Sequence, residues 1–151
     1  PQMADRGQHL ESHRPAGTLG VVGDAKRLEQ VLDNLLDNAS RHTHDGGRIS
    51  LSVVAGSDTL TLTVADNGIG ITADSLPAIF EPFVQDAHAL GYNDLGLGIG
   101  LTVARALVRS HGGDIVAQSA GARRGSQFIV TLPRAANPDA LEAAAAGGQA
   151  A

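Results

Sequence analysis

Apolar residues recur along this chain in two rhythms, and each change of rhythm marks a new element. Leu28, Val31, Leu32, Leu35, Leu36 and Ala39 follow the three-and-four spacing of one buried helical face. Asp24 stands ahead of them as an N-cap, and "HDGG" at 44–47 is the turn signal that ends the helix. The rhythm then shortens to two. "RISLSVVAG" and "TLTLTVAD", joined across "SD", alternate apolar and polar residues and predict an antiparallel hairpin. Helical spacing returns from about Ile99 to Ser110, closed by "HGG" with glycine in the C′ region. Two last alternating runs, "DIVAQSA" and "SQFIVTL", flank the turn "GARRG".

The intervening stretches are less regular. Two short strands are expected around Gln8–Arg14 and Thr18–Val22, broken at "PAG", and a short helix over Ala73–Ile79. From Val84 to Leu97 the pattern vanishes into a loop that ends in "GLGIGL". The chain shows no internal repeat. A domain over residues 1–133 is followed by a low-complexity linker or tail, 134–151, rich in alanine and glycine. The order predicts an α+β fold: a two-layer α/β sandwich, with a mixed sheet of about five strands covered on one face by three helices.

Composition narrows the function classes. The 151 residues suffice for one core. A formal charge of −5 without a basic run argues against nucleic acid or an anionic membrane surface as the main partner. The absence of cysteine excludes disulfides and thiolate metal sites. No apolar run approaches the roughly 20 residues of a membrane span, and "PQMADRGQHL" lacks the apolar segment of a signal peptide. The expected location is cytoplasmic, with any membrane anchor belonging to a larger parent.

Three segments carry candidate chemistry. On the first helix, Asn34, Asn38 and Arg41 share a flank at i, i+4 and i+7. Asparagine is a poor helix former, an amide oxygen suits a hard cation such as Mg²⁺, and an arginine one turn on can meet phosphate. In "VADNGIGI", Asp66 closes a strand with an acceptor fit for an exocyclic amine, and Gly68 and Gly70 allow close approach of a ligand. In "GLGIGL", bare amides at a helix N-terminus offer donors and a favourable dipole to phosphate. Each alone has a bland explanation: a solvated polar face, a tight turn, a hinge.

Together and in order, the segments resemble the ATP-binding catalytic domain of sensor histidine kinases, part of the superfamily that includes gyrase, MutL proteins and a heat-shock chaperone. "QVLDNLLDNASRHT" is similar to the asparagine box, "VADNGIGI" to the first glycine box, "IFEPFVQ" to the phenylalanine box, and "GLGIGLTVARALVRSHGG" to the second glycine box. "GSQFIVTLP" resembles the family's last strand. The resemblance spans about Gln8 to Pro133 and implies ATP and Mg²⁺ as ligands beneath a flexible lid.

It also implies roles. Asn38 would coordinate Mg²⁺, with Asn34 assisting from one turn earlier and Arg41 near the phosphates. Asp66 would bind the adenine amino group, beside Gly68, Gly70 and Ile71. Gly96, Leu97, Gly98, Gly100 and Leu101 would face the phosphates, while Phe80 and Phe83 anchor the lid. His42 stands where the family often has an aromatic over the nucleotide, and the lid "VQDAHALGYNDL" contains no Lys or Arg.

Phosphoryl transfer to a histidine needs a partner. None of His9, His13, His42, His44, His88 or His111 has the sequence of the family's phosphoacceptor. The expected partners are therefore a dimerisation and phosphoacceptor hairpin domain of a parent kinase, then a receiver domain or response regulator. The alternatives are a stand-alone anti-sigma-type serine kinase and a degenerate nucleotide-binding module.

Overall fold

The computed structural model describes residues 2–13, 23–82 and 99–134. Five strands, β1 (His9–His13), β2 (Arg48–Ala55), β3 (Thr59–Asp66), β4 (Asp114–Gln118) and β5 (Ser126–Pro133), form one sheet in the order β1-β2-β3-β5-β4. Only β1 with β2 is parallel; the other three pairings are antiparallel. The helices are α1 (Gln2–Asp5), α2 (Ala25–Arg41) and α3 (Gly100–Ser110). The parallel pair is joined through α2, as a crossover of this kind requires.

The two sequence rhythms meet in the core. On α2 the buried side chains Val31, Leu35 and Ala39 recur every four residues. On β5 the alternation buries Phe128, Val130 and Leu132. These close on Ile49 of β2, Val64 of β3, Ile115 of β4, and Ala104 and Val108 of α3. Asp24 caps α2 as expected, its carboxylate accepting from the amides of Lys26 and Arg27. The register of β2 with β3 sets Ile49 opposite Asp66, which places the carboxylate at the end of the hairpin.

Some sequence expectations need correction and others fall outside the described residues. The helix expected over Ala73–Ile79 is only a 3₁₀ turn, Leu76–Ala78, with Pro77 in its first positions and bonds of the i→i+3 kind. The single-turn α1 was missed, because four residues are too few to show a period. The strand expected at Thr18–Val22, the lid, Phe83 and the tail from residue 135 lie outside the described residues. No helix among the described residues is long and apolar enough to cross a membrane.

Candidate nucleotide site

Four pieces of chain converge here: the last turns of α2, the end of β3 with residues 67–71, the turn between β4 and β5, and the start of α3. The two helices pack through the core, and one polar contact is added to that packing. Asn34 Nδ2 donates to the carbonyl oxygen of Gly100 at 3.1 Å, across 66 residues of sequence. A mid-helix asparagine thus has a structural partner, and that partner is the first residue of α3.

Asn38 lies half-buried one turn further along, and its side-chain amide makes no hydrogen bond among the described residues. Its backbone carbonyl accepts from the amide of His42 at 3.1 Å and lies 2.8 Å from His42 Nδ1. The imidazole is therefore held beside the end of α2. Arg41, also half-buried, forms an ion pair with Asp37 on the preceding turn, so part of its charge is already answered within the helix.

Asp66 is tied at both oxygens. Oδ1 accepts from the amide of Gly68 at 2.9 Å, and Oδ2 accepts from the hydroxyl of Ser126 at 2.8 Å. Burial raises the pKa of its carboxyl above the ordinary aspartate value, and these two hydrogen bonds and nearby His42 only partly offset that effect. The sign of the linkage follows. The folded state holds the proton more tightly than the unfolded chain, so stability falls as pH rises from the ordinary carboxylate range through the raised value. Asp66→Asn should remove that slope and leave the protein at least as stable near neutrality. Urea midpoints taken across this range check it, and a variant that keeps the parent's slope would show that another group titrates.

Gly68 and Gly70 serve the protein's own packing. A Cβ on Gly68 would meet the carbonyl oxygen of His42 at 2.1 Å, and one on Gly70, whose φ is +73°, would meet that of Gly121 at 2.1 Å. Backbone hydrogen bonds run through the same contacts: Ile69 N to His42 O at 3.0 Å, Arg123 N to Ile69 O at 2.6 Å, and Gly125 N to Gly68 O at 3.1 Å. The glycine segment is thus clamped between the end of α2 and the β4–β5 turn. Ser119 locks the clamp, accepting from the amide of Ile71 at 3.0 Å and donating to the carbonyl of Gly125 at 2.7 Å. The Ile71 side chain belongs to the core, 7% exposed, and supports the site from below.

Gly100 differs from these. Among the described residues an added Cβ there would meet nothing within 4 Å, so the packing of those residues does not call for glycine at this helix start. Leu101 is half-buried against the core. Gly96, Leu97 and Gly98 lie outside the described residues. A hollow of about 530 Å³ lined by Leu76, Pro77, Phe80, Arg105 and Ile115 adjoins the site only through Ser119 and Gly121 of the β4–β5 turn.

Sequence reasoning missed several supporting groups. Ser126 and Ser119 hold Asp66 and Ile71. Thr102 donates to the carbonyl of Phe80 at 2.6 Å, and Arg105 lies over the Phe80 ring at 5.1 Å, which fixes α3 to the phenylalanine segment. Phe80 packs edge-on against Phe128 in the core.

Comparison with known proteins identifies the family and the fold. The profile of the histidine kinase-, DNA gyrase B- and HSP90-like ATPases matches residues 23–136. The sensor histidine kinase RcsC of Escherichia coli is 41% identical over 119 residues, which cover 79% of this chain and 12% of that protein. The chain spans a quarter or less of the length of the first curated relatives it matches. Among solved structures, the mycobacterial sensor histidine kinase MprB superposes with a TM-score of 0.79 at 26% identity, covering 88% of both chains. Full-length ShkA in complex with AMPPNP superposes with a TM-score of 0.76 at 27% identity, covering 91% of this chain and 28% of that one. The chain belongs to the histidine kinase-, DNA gyrase B- and HSP90-like ATPase family, and the relatives and solved structures it resembles here are sensor histidine kinases.

Proposed function

We propose that this domain binds ATP with Mg²⁺ where α2, the end of β3 and α3 meet, and passes the γ-phosphate to a histidine on a helical hairpin domain. The observation that carries the reading is the Asn34–Gly100 hydrogen bond, which sets the asparagine helix against the glycine-led start of α3. The AMPPNP complex of ShkA supports ATP as the ligand.

The residues present fit the proposed ligand. Asn38 offers an amide oxygen of the kind a hard cation takes, and no described residue lies within 4 Å of a Cβ built on Gly100, where the first amides of α3 would face anionic oxygens. Asn38 would hold Mg²⁺, which neutralises charge on the triphosphate when bound. The Asp66 carboxylate would accept from the adenine amino group. The equivalent group of guanine is a carbonyl, an acceptor that would face Asp66 unpaired. Arg41 and His42 would lie near the phosphates and the nucleotide respectively.

The same arrangement separates transfer from hydrolysis. Asn34, one turn before the proposed Mg²⁺ ligand, is a neutral amide and cannot take a proton from water. A neutral imidazole needs no such base. Among the described histidines none lies on a helical hairpin: His9 and His13 are in β1, His42 and His111 cap helices, and His44 follows α2. The acceptor is thus proposed to be a hairpin domain of a parent kinase, with a receiver domain or response regulator downstream and the reaction on the cytoplasmic side. The test supplies labelled ATP and a sensor-kinase hairpin, with its histidine intact or replaced by alanine. Label is expected on the intact hairpin alone, with negligible phosphate release by the domain by itself. Brisk release without a hairpin, or label on the alanine version, would overturn the reading.

A further inference from the structure

The end of α2 is held from two sides. On one side, His42 gives its carbonyl to the amide of Ile69, linking the last turn to the glycine segment and Asp66. On the other stands a short piece of chain that neither sequence reasoning nor the proposed chemistry uses. Gln8 is buried, and its Nε2 donates to the carbonyls of Ser40 at 3.0 Å and Thr43 at 2.8 Å, while its Oε1 accepts from the Ser40 hydroxyl at 2.6 Å. Arg6 reaches the same two carbonyls, Nη1 toward Ser40 and Nη2 to Thr43 at 2.7 Å, and its Nε donates to Asp45 at 2.7 Å. Its side chain is only 16% exposed. The grip is reciprocal along the backbone, since Gly46 N donates to Arg6 O at 3.0 Å and His9 N to Gly47 O at 2.9 Å.

A helix C-terminus presents unsatisfied carbonyls and partial negative charge, and a guanidinium placed there answers both. Here that cap comes from 34 residues away in sequence, on the piece of chain leading into β1. The turn it fixes, Ser40 to Thr43, begins two residues after Asn38 and contains Arg41 and His42. We infer that Arg6 and Gln8 are positioning residues for the nucleotide site: from the segment between α1 and β1 they hold the end of α2 in the geometry on which ATP affinity depends. This rests on the proposed site. The route is short: Arg6 and Gln8 set the carbonyls of Ser40 and Thr43, these set the turn, and the turn sets His42 against Asn38 and Ile69.

The test uses the 151-residue chain. Arg6→Ala should weaken binding of a non-hydrolysable ATP analogue about tenfold, the scale of one lost charge-assisted hydrogen bond at a helix end. It should also shift the His42 ring and Asn38 side-chain amide resonances without nucleotide present. Arg6→Lys, which keeps the charge, should recover most of the affinity. Arg134→Ala is the control, because Arg134 also donates to a backbone carbonyl, that of Gly56 at 2.7 Å, at the β2–β3 turn. It should leave both readouts unchanged. Parental affinity and unshifted resonances in Arg6→Ala, or equal losses in Arg134→Ala, would overturn the inference. If the parent chain itself fails to bind the analogue, the proposed site falls, and the resonances still decide whether Arg6 controls the turn.

Discussion

Asn38→Ala is expected to slow transfer of phosphate to a hairpin histidine by about a hundredfold to a thousandfold, the cost of losing one preorganised group that stabilises transition-state charge. The fold should not suffer. The Asn38 amide makes no hydrogen bond among the described residues, and alanine is the better helix former by a few tenths of a kcal/mol. Transfer of label from ATP, measured beside a urea melt of the same sample, separates the two effects. A transfer rate within about threefold of the parent would remove Asn38 from the proposed role, since even a single ordinary hydrogen bond is worth more than that.

Gly70→Ala should do the opposite, damaging the fold before any chemistry can be assayed. The residue has φ of +73°, a conformation that costs an L-residue about 1–2 kcal/mol. Its new Cβ would also lie 2.1 Å from the carbonyl oxygen of Gly121, and forcing such a contact apart adds roughly 1–3 kcal/mol. Together these approach half of the roughly 5–15 kcal/mol that holds a domain folded. Gly46→Ala is the comparison, because Gly46 has φ of +78° with nothing within 4 Å of an added Cβ. Its loss should be limited to the conformational cost of about 1–2 kcal/mol. Equal urea midpoints for the two variants would show that the clamp at Gly121 is not as tight as the geometry states.

The long elements were legible because each runs through several periods. Seventeen residues of α2 and eight each of β2, β3 and β5 repeat their pattern often enough to fix both type and buried face. One turn of helix at α1 and the 3₁₀ turn at Leu76 repeat nothing, so periodicity could not find the first and overextended the second. The candidate site divides along a different line. Asn34, Asn38 and Asp66 stand out because their residue types are costly or unexpected where they sit. Ser126, which holds Asp66 from 60 residues away, and Arg6, which holds the end of α2, are ordinary surface residue types in the linear chain. Only the sheet register and the packing of β1 bring them to their partners. The glycines were legible as glycines, but the reason for two of them was not: Gly68 and Gly70 are pressed against carbonyl oxygens that arrive from other segments.

That difference among glycines bears on how such sequences drift. A lineage that lost its need for ATP would still be obliged to keep Gly68, Gly70 and Gly125, since at each of them a Cβ would meet a backbone oxygen at 2.1 Å. The first glycine motif would persist in the descendant as a fossil of the scaffold, intact and uninformative. Gly100 and Asn38 carry no such obligation within the described residues. They are the positions where the loss of the proposed nucleotide site would surface first.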